Sequence, residues 1–336
     1  MFDIPIVLFT FKRKDTVFRI IERIAEVKPQ KVYIISDGPR NEEEKDIIID
    51  VRESIESYIS WDCEIIKNYA QENKGVYNRI GEGANWVFTQ EETAIFLEDD
   101  NLPDVTFFRF CKEMLERYKD DTRVLWVCGT NYLKQYTPND NSSYVFTKQL
   151  LPCGWASWKS KFPKYYDGEL ELLSDPNIEK RIYDEYENKA LYRQDMYLFK
   201  KTKHMLTHQK RMASWDRQMA FSIRVHGLYG ISPANNQIEN IGVDIHSIHG
   251  GTSYNNVMTK RFCGIQTIPI KFPLIHPKVV LSDKTYEKRV SKIILYPLFS
   301  RIALNIFKLI KPVLGINRNA SFRLYMKEKL NKKSHI

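Results

Sequence analysis

The segment Ala94-Ile95-Phe96-Leu97 runs directly into Glu98, Asp99 and Asp100. Four consecutive apolar residues fit a strand covered on both faces. Three adjacent carboxylates at its end repel one another, and burial raises that cost. A solvated acidic turn is the plain reading, and a bound cation is the chemical one. Hard divalent ions take carboxylate oxygens. Mg2+ and Mn2+ sites commonly join one or two carboxylates to the phosphate oxygens of a substrate. In open α/β sheets, ligands bind outside the carboxyl ends of the strands.

The elements that would position such a site can be read along the chain. Apolar runs at 4–10, 31–39, 63–68, 94–97 and 123–131 predict strands. Segments 15–28, 41–59, 75–90 and 104–121 carry helical spacing, the first through Val17, Ile20, Ile21, Ile24 and Val27. Alternating strands and helices imply a mainly parallel sheet with helices on both faces, an α/β fold. Asp37, Asn68 and the three acids all fall at strand C-terminal ends. Residues 132–215 are less regular and rich in Tyr and Trp. They read as the acceptor-facing part of the same fold.

Bulk properties narrow the function classes. The 336 residues are 43% hydrophobic and 13% aromatic, ample for a core. No uninterrupted apolar stretch reaches a membrane-spanning length, and the first residues lack the features of a signal peptide. Cys63, Cys111, Cys128, Cys153 and Cys263 are scattered without a C-x-x-C pair. That favours reduced thiols in the cytoplasm over zinc or disulfides. The net charge of +9 is concentrated in residues 284–336, where thirteen Lys/Arg face two acids.

Six motifs in order carry a resemblance: LFTFKRKDTV, IISDGP, NKGVYNRIGEGANWVF, FLEDDNLPDVTFF, GWASWK, and SWDRQMAFSIRVHGL with the later NIG and HSIHGG. Together they resemble the GT-A-fold, Rossmann-like nucleotide-sugar glycosyltransferases. The closest likeness is to the N-acetylglucosaminyltransferase I-like group and its bacterial relatives. The resemblance covers roughly residues 4–255. It implies a catalytic domain over 1–255, with a donor and metal half (1–131) and an acceptor half (132–255), followed by an extension over 256–336.

On this resemblance Asp100 contacts Mn2+ (or Mg2+) bridging the donor diphosphate, and Asp99 and Glu98 face the sugar and ribose. Asp37 holds the nucleoside. Arg13 faces the uracil or the diphosphate. Arg79 reaches the diphosphate or sugar, and Gly83 lets the backbone approach it. Asp216 is the general base for an acceptor hydroxyl, with Trp215 beside it to stack on a sugar. Ser214 is then the candidate helix cap that leaves Asp216 unencumbered. Of His246 and His249, the latter better fits a late metal or diphosphate contact. Trp155 lines the donor-sugar and acceptor side, whereas Trp158 reads as core. The implied reaction is inverting transfer from a nucleotide-sugar, a UDP-sugar, to a glycan or lipid-linked glycan in bacterial surface polysaccharide assembly. Two rivals stand beside it. A sugar-nucleotide nucleotidyltransferase needs a Gly-rich phosphate loop, and LFTFKRKDT has no glycine. A non-catalytic glycan-binding scaffold would not need the intact acids and Asp216.

The stretch 292–318 places Leu298, Ile302, Ile306, Leu309 and Val313 on one helical side, with Arg301, Asn305 and Lys308 on the other. That pattern predicts an in-plane helix on an anionic membrane surface, peripheral on the inner face of the cytoplasmic membrane. A helix packed on the domain is the alternative. So much aliphatic surface argues against a nucleic-acid partner.

Overall fold

The computed structural model describes residues 1–209, 214–243 and 255–320. Its elements run β1 (Ile6–Thr10), α1 (Lys14–Val27), β2 (Lys31–Ser36), α2 (Glu42–Tyr58), β3 (Glu64–Tyr69), α3 (Gly75–Phe88), β4 (Thr93–Glu98), β5 (Asn101–Pro103), α4 (Thr106–Arg117) and β6 (Val124–Cys128). Then come β7 (Tyr144–Thr147), β8 (Trp155–Trp158), α5 (Phe162–Tyr165), α6 (Pro176–Asp184), α7 (Lys189–His204), α8 (Asp216–Val225), β9 (Tyr229–Pro233), β10 (Ile238–Asn240), α9 (Val257–Phe262), α10 (Lys284–Ile294) and α11 (Leu298–Val313).

Eight strands form one mixed sheet in the order β3-β2-β1-β4-β8-β6-β9-β7. The pairs β3–β2, β2–β1, β1–β4 and β6–β9 are parallel. Strands β8 and β7 enter antiparallel, β8 between β4 and β6, and β7 against β9. The parallel half follows the reading of the sequence closely. The antiparallel insertions fall in the irregular region, where a short strand such as β8 carries two tryptophans and no helix-period signal.

Alternation along the strands sorts the core into two faces. Ile6 and Leu8 of β1 join Val32, Ile34, Ile95 and Leu97 on one face, under α1, α2 and α4. Val7 and Phe9 join Tyr33, Ile35 and Phe96 on the other, under α3, α8 and α10. Burying each such side chain contributes ~1.5–3 kcal/mol, so the register is strongly specified: a slip by one residue would exchange the two faces. A third cluster of Leu170, Ile182, Leu191, Met196, Phe199 and Phe221 ties α6 and α7 to α8.

The C-terminal segment divides where the sequence reading does not. Helix α10 belongs to the body, since Tyr286 and Val290 are completely buried on the second face. Glu287, also buried, accepts hydrogen bonds from Thr147 Oγ1 (2.6 Å), the Lys148 N–H and Gln149 Nε2 (2.8 Å). Packing therefore continues past residue 255 through α10, whereas α11 lies on the surface with most of its side chains exposed.

Candidate active site

Strand β1 has β2 on one side and β4 on the other. The chain proceeds from β1 outward to β2 and β3, then returns to lay β4 on the opposite side. The C-terminal ends of β1 and β4 thus flank a topological switch point, where a crevice must open. Arg13 leaves one of these ends, and Glu98, Asp99 and Asp100 leave the other. Their meeting is a consequence of strand order.

Arg13 Nη1 lies 2.8 Å from Asp100 Oδ2 and 3.3 Å from Asp99 Oδ1. Asp99 Oδ2 accepts the Phe11 N–H at 3.1 Å, which ties the β4 acids to the β1 exit loop. Asp100 Oδ1 accepts from Asn101 Nδ2 at 2.7 Å, and Asn101 Oδ1 accepts the Gly154 N–H at 2.8 Å. The Asp100 carbonyl accepts the Ile241 N–H at 2.9 Å. Gly242 then passes so close that a Cβ there would overlap the Asp100 carboxylate. The acid turn is held from three directions.

Crowding shows in the proton affinities. Burial pushes the Glu98 carboxyl well above its ordinary range, with Asp100, Asp99 and Asp216 adding to it and a hydrogen bond from Trp215 opposing it. Asp99 is pushed up to about 7, by burial first and then by Asp100, against the pull of Arg13 and the Phe11 N–H. One guanidinium does not neutralise three carboxylates. This donor set suits a hard divalent ion that takes its remaining oxygens from a ligand. Among the described residues no cluster of three or more His, Cys, Asp or Glu forms a ready metal cage. His246 and His249 lie outside the described residues.

A cavity of about 300 Å3 opens over these acids, lined also by Lys12, Asp37, Arg40, Asn73, Arg79 and Trp215. A second, of about 310 Å3, is lined by Tyr132, Asp195, Arg217, Phe262 and Tyr296 among others. The two share Pro152, Cys153, Asp216 and Asn240. Asp216 opens α8, and its Oδ1 accepts from the Ser214 hydroxyl and, at 3.0 Å, from the Arg217 N–H. Ser214 therefore orients Asp216 and does not cap the helix; Trp215 holds the cap position without a side-chain bond.

Four expected ligand contacts take a different form. Asp37 borders the cavity, yet its carboxylate receives the N–H groups of Gly38, Lys74 and Gly75 and the Asn73 amide, all at 2.9 Å. Those four donors fill its lone pairs, so it shapes the loop before α3. Arg79 is buried and bonds the Ser36 carbonyl (3.2 Å) and the Asn68 carbonyl (2.7 Å), stitching β2 and β3 to α3. Gly83 faces the sheet: a Cβ would lie 3.0 Å from both Ile35 and Phe9. Trp155 is buried between Phe96 and Trp126, with ring centroids at 3.9 and 4.3 Å. It stabilises the floor below Trp215 and does not line the first cavity. Trp158 is core, and its Nε1 donates to the Leu115 carbonyl at 2.9 Å.

Sequence reading missed Lys12, Arg40, Asn73, Asn240 and Gly242. Lys12 and Arg40 follow β1 and β2, where a basic residue after a strand end was the available signal. Both bond Glu44, Lys12 at 3.1 Å, and Arg40 lies over the Phe11 ring at 5.1 Å. Asp195, in the second cavity, is pushed up to about 6 by burial, against Arg224 and the Tyr186 hydroxyl. Nothing in its sequence surroundings distinguished it.

No family model matches the chain, and no curated protein matches it in sequence. Solved structures similar in part include residues 1–349 of TarS from S. aureus, at 10% identity and a TM-score of 0.38 over 70% of this chain. This chain spans 59% of that one. The 4-diphosphocytidyl-2C-methyl-D-erythritol synthase of Anaerococcus prevotii matches at 10% identity and 0.36, over 70% of this chain and 88% of that one. The mannosyltransferase PcManGT of Pyrobaculum calidifontis, in complex with GDP-Man and Mn2+, matches at 12% and 0.35, over 66% and 68%. The α/β architecture rests on the strand order and pairing of this chain, not on these weak likenesses.

Proposed function

We propose that this protein is a glycosyltransferase that moves a sugar from a nucleotide-sugar donor to an acceptor hydroxyl with inversion. The observation that supports this reading is the junction of two cavities at Asp216, with the acid turn in only one of them. The first cavity takes the donor and the second the acceptor. Asp216 accepts the hydroxyl proton, the acceptor oxygen forms a bond to the anomeric carbon, and the bond from that carbon to the diphosphate breaks on the opposite face. Arg13 holds Asp99 and Asp100 in register. Asp100, with Asp99, would hold a divalent ion, Mn2+ or Mg2+, whose charge offsets that developing on the diphosphate. Trp215, buried next to Asp216, lines the donor cavity beside the reacting bond. A UDP-sugar donor and a glycan or lipid-linked glycan acceptor fit the resemblance described above.

The test is a panel of nucleotide sugars with MnCl2, scored for nucleoside diphosphate release with and without glycan acceptors. Release of nucleoside diphosphate supports the transferase. Pyrophosphate formed from a nucleoside triphosphate and a sugar phosphate, without diphosphate release, identifies a nucleotidyltransferase instead. Glycan binding with neither product leaves a scaffold.

A further inference from the structure

Helix α11 is mounted with its polarity reversed. Its less exposed positions include Arg301, Lys308 and Lys311. Lys308 Nζ sits 4.2 Å from the centre of the Tyr197 ring. Lys311 Nζ donates to Tyr197 Oη at 3.3 Å and to the Ala320 carbonyl at 2.9 Å. Lys308 and Lys311 thus face Tyr197 of α7 and not the solvent. Solvent meets the apolar side instead: Phe299 is 86% exposed, Leu309 71% and Val313 85%, with Leu298, Ile302, Ile306 and Ile310 exposed beside them. A monomer in water gains nothing from such a face, and a contiguous apolar patch of this kind marks an interaction surface.

We infer that the outer face of α11 lies in the plane of an anionic lipid bilayer. Three observations select this occupant. The helix has 16 residues, short for a span, and meets α10 at a bend of 67°, while α10 is fixed in the core. No single helix among the described residues is long and apolar enough to cross a membrane. Beyond α11 the sequence holds six more Lys/Arg, from Arg318 to Lys333, and one acid, Glu328. Pairing α11 with a second copy would bring two such cationic segments together, whereas anionic headgroups complement them. Tyr296, which lines the second cavity, stands two residues before α11, so docking would hold that cavity beside the membrane.

The experiment is co-sedimentation of the full chain with vesicles of phosphatidylcholine alone and of equal parts phosphatidylcholine and phosphatidylglycerol. The comparison protein is the triple variant Phe299→Glu, Leu309→Glu, Val313→Glu. These side chains are exposed, so circular dichroism and melting should match the parent. The expected result is binding to the anionic vesicles that falls at least about tenfold in the variant and is weaker on neutral vesicles. Equal binding by the variant, or none by the parent, overturns the inference. Self-association of the parent in light scattering, lost in the variant and without vesicle binding, would assign the face to a second copy. The assay uses neither donor nor acceptor, so its outcome is independent of the proposed transfer reaction.

Discussion

In the proposed reaction Asp216 is the proton acceptor and Asp99 belongs to the acid turn that would hold the ion, and each yields a measurement. In the proposed reaction Asp216→Asn keeps the bonds from Ser214 and Arg217 but no longer accepts a proton at neutral pH. Transfer should fall by about 10²–10⁴ in kcat, while donor affinity by calorimetry stays near that of the parent, because the acid turn is untouched. Near-normal turnover would exclude Asp216 as the base. Asp99 gives a pH signature. Its folded-state value of about 7 lies above the ordinary 3.8. Between these values the folded state holds a proton that the unfolded chain has released, so stability falls as pH rises through this window. Without added metal, the melting temperature should decline from about pH 5 to pH 7.5. MnCl2 with a nucleoside diphosphate should flatten or reverse the slope, since in the proposed site the ion would bind the ionised acids. Asp99→Asn should make the slope shallower in the absence of metal, the remainder coming from Glu98 and Asp195, which burial also raises.

At the scale of the elements, two glycines separate packing from the site. Gly83 lies where α3 crosses β1 and β2, so Gly83→Ala presses on Phe9 and Ile35. The expected cost is about 1–3 kcal/mol of stability, as for other overpacked cores, with ligand affinity little changed. Gly242 lies against the Asp100 carboxylate. Gly242→Ala should displace the acid turn and weaken Mn2+-dependent nucleotide binding far more than it lowers the melting temperature. Chemical melts alongside calorimetry distinguish the two. If both variants lose affinity equally, the division between packing glycine and site glycine drawn here is wrong. Asp37 and Arg79 belong to the same scale: they fix the loops and strands around the cavity, and their polar atoms are largely engaged by the protein itself.

For the whole molecule, the packing places the removable end after Pro297. A chain of residues 1–297 should fold and melt cooperatively. A chain ending at Asp283 loses Tyr286 and Val290 from the core and the Glu287 acceptor from the β7 edge. A few such losses of ~2–5 kcal/mol each approach the ~5–15 kcal/mol that hold a domain together. It should be insoluble or non-cooperative in thermal denaturation. Equal melting of the two truncations would mean that α10 contributes little.

What the sequence determined by itself is local. Apolar runs, the helical spacing of Val17 to Ile24 and the acid cluster after Leu97 each depend on a few neighbours along the chain. The first six predicted elements accordingly match β1 to α3, and the acid turn stands at a strand end. Only the tertiary structure decided what depends on strand order and on distant partners. The place of β4 beside β1 brings Arg13 to Asp99 and Asp100 across more than eighty residues. The four donors on Asp37, the burial of Trp155 and the contact of Gly242 with Asp100 arise in the same way. So does the orientation of α11. Its two faces were legible, but which one turned outward depended on Tyr197 and the Ala320 carbonyl taking the lysines, contacts that no periodicity records.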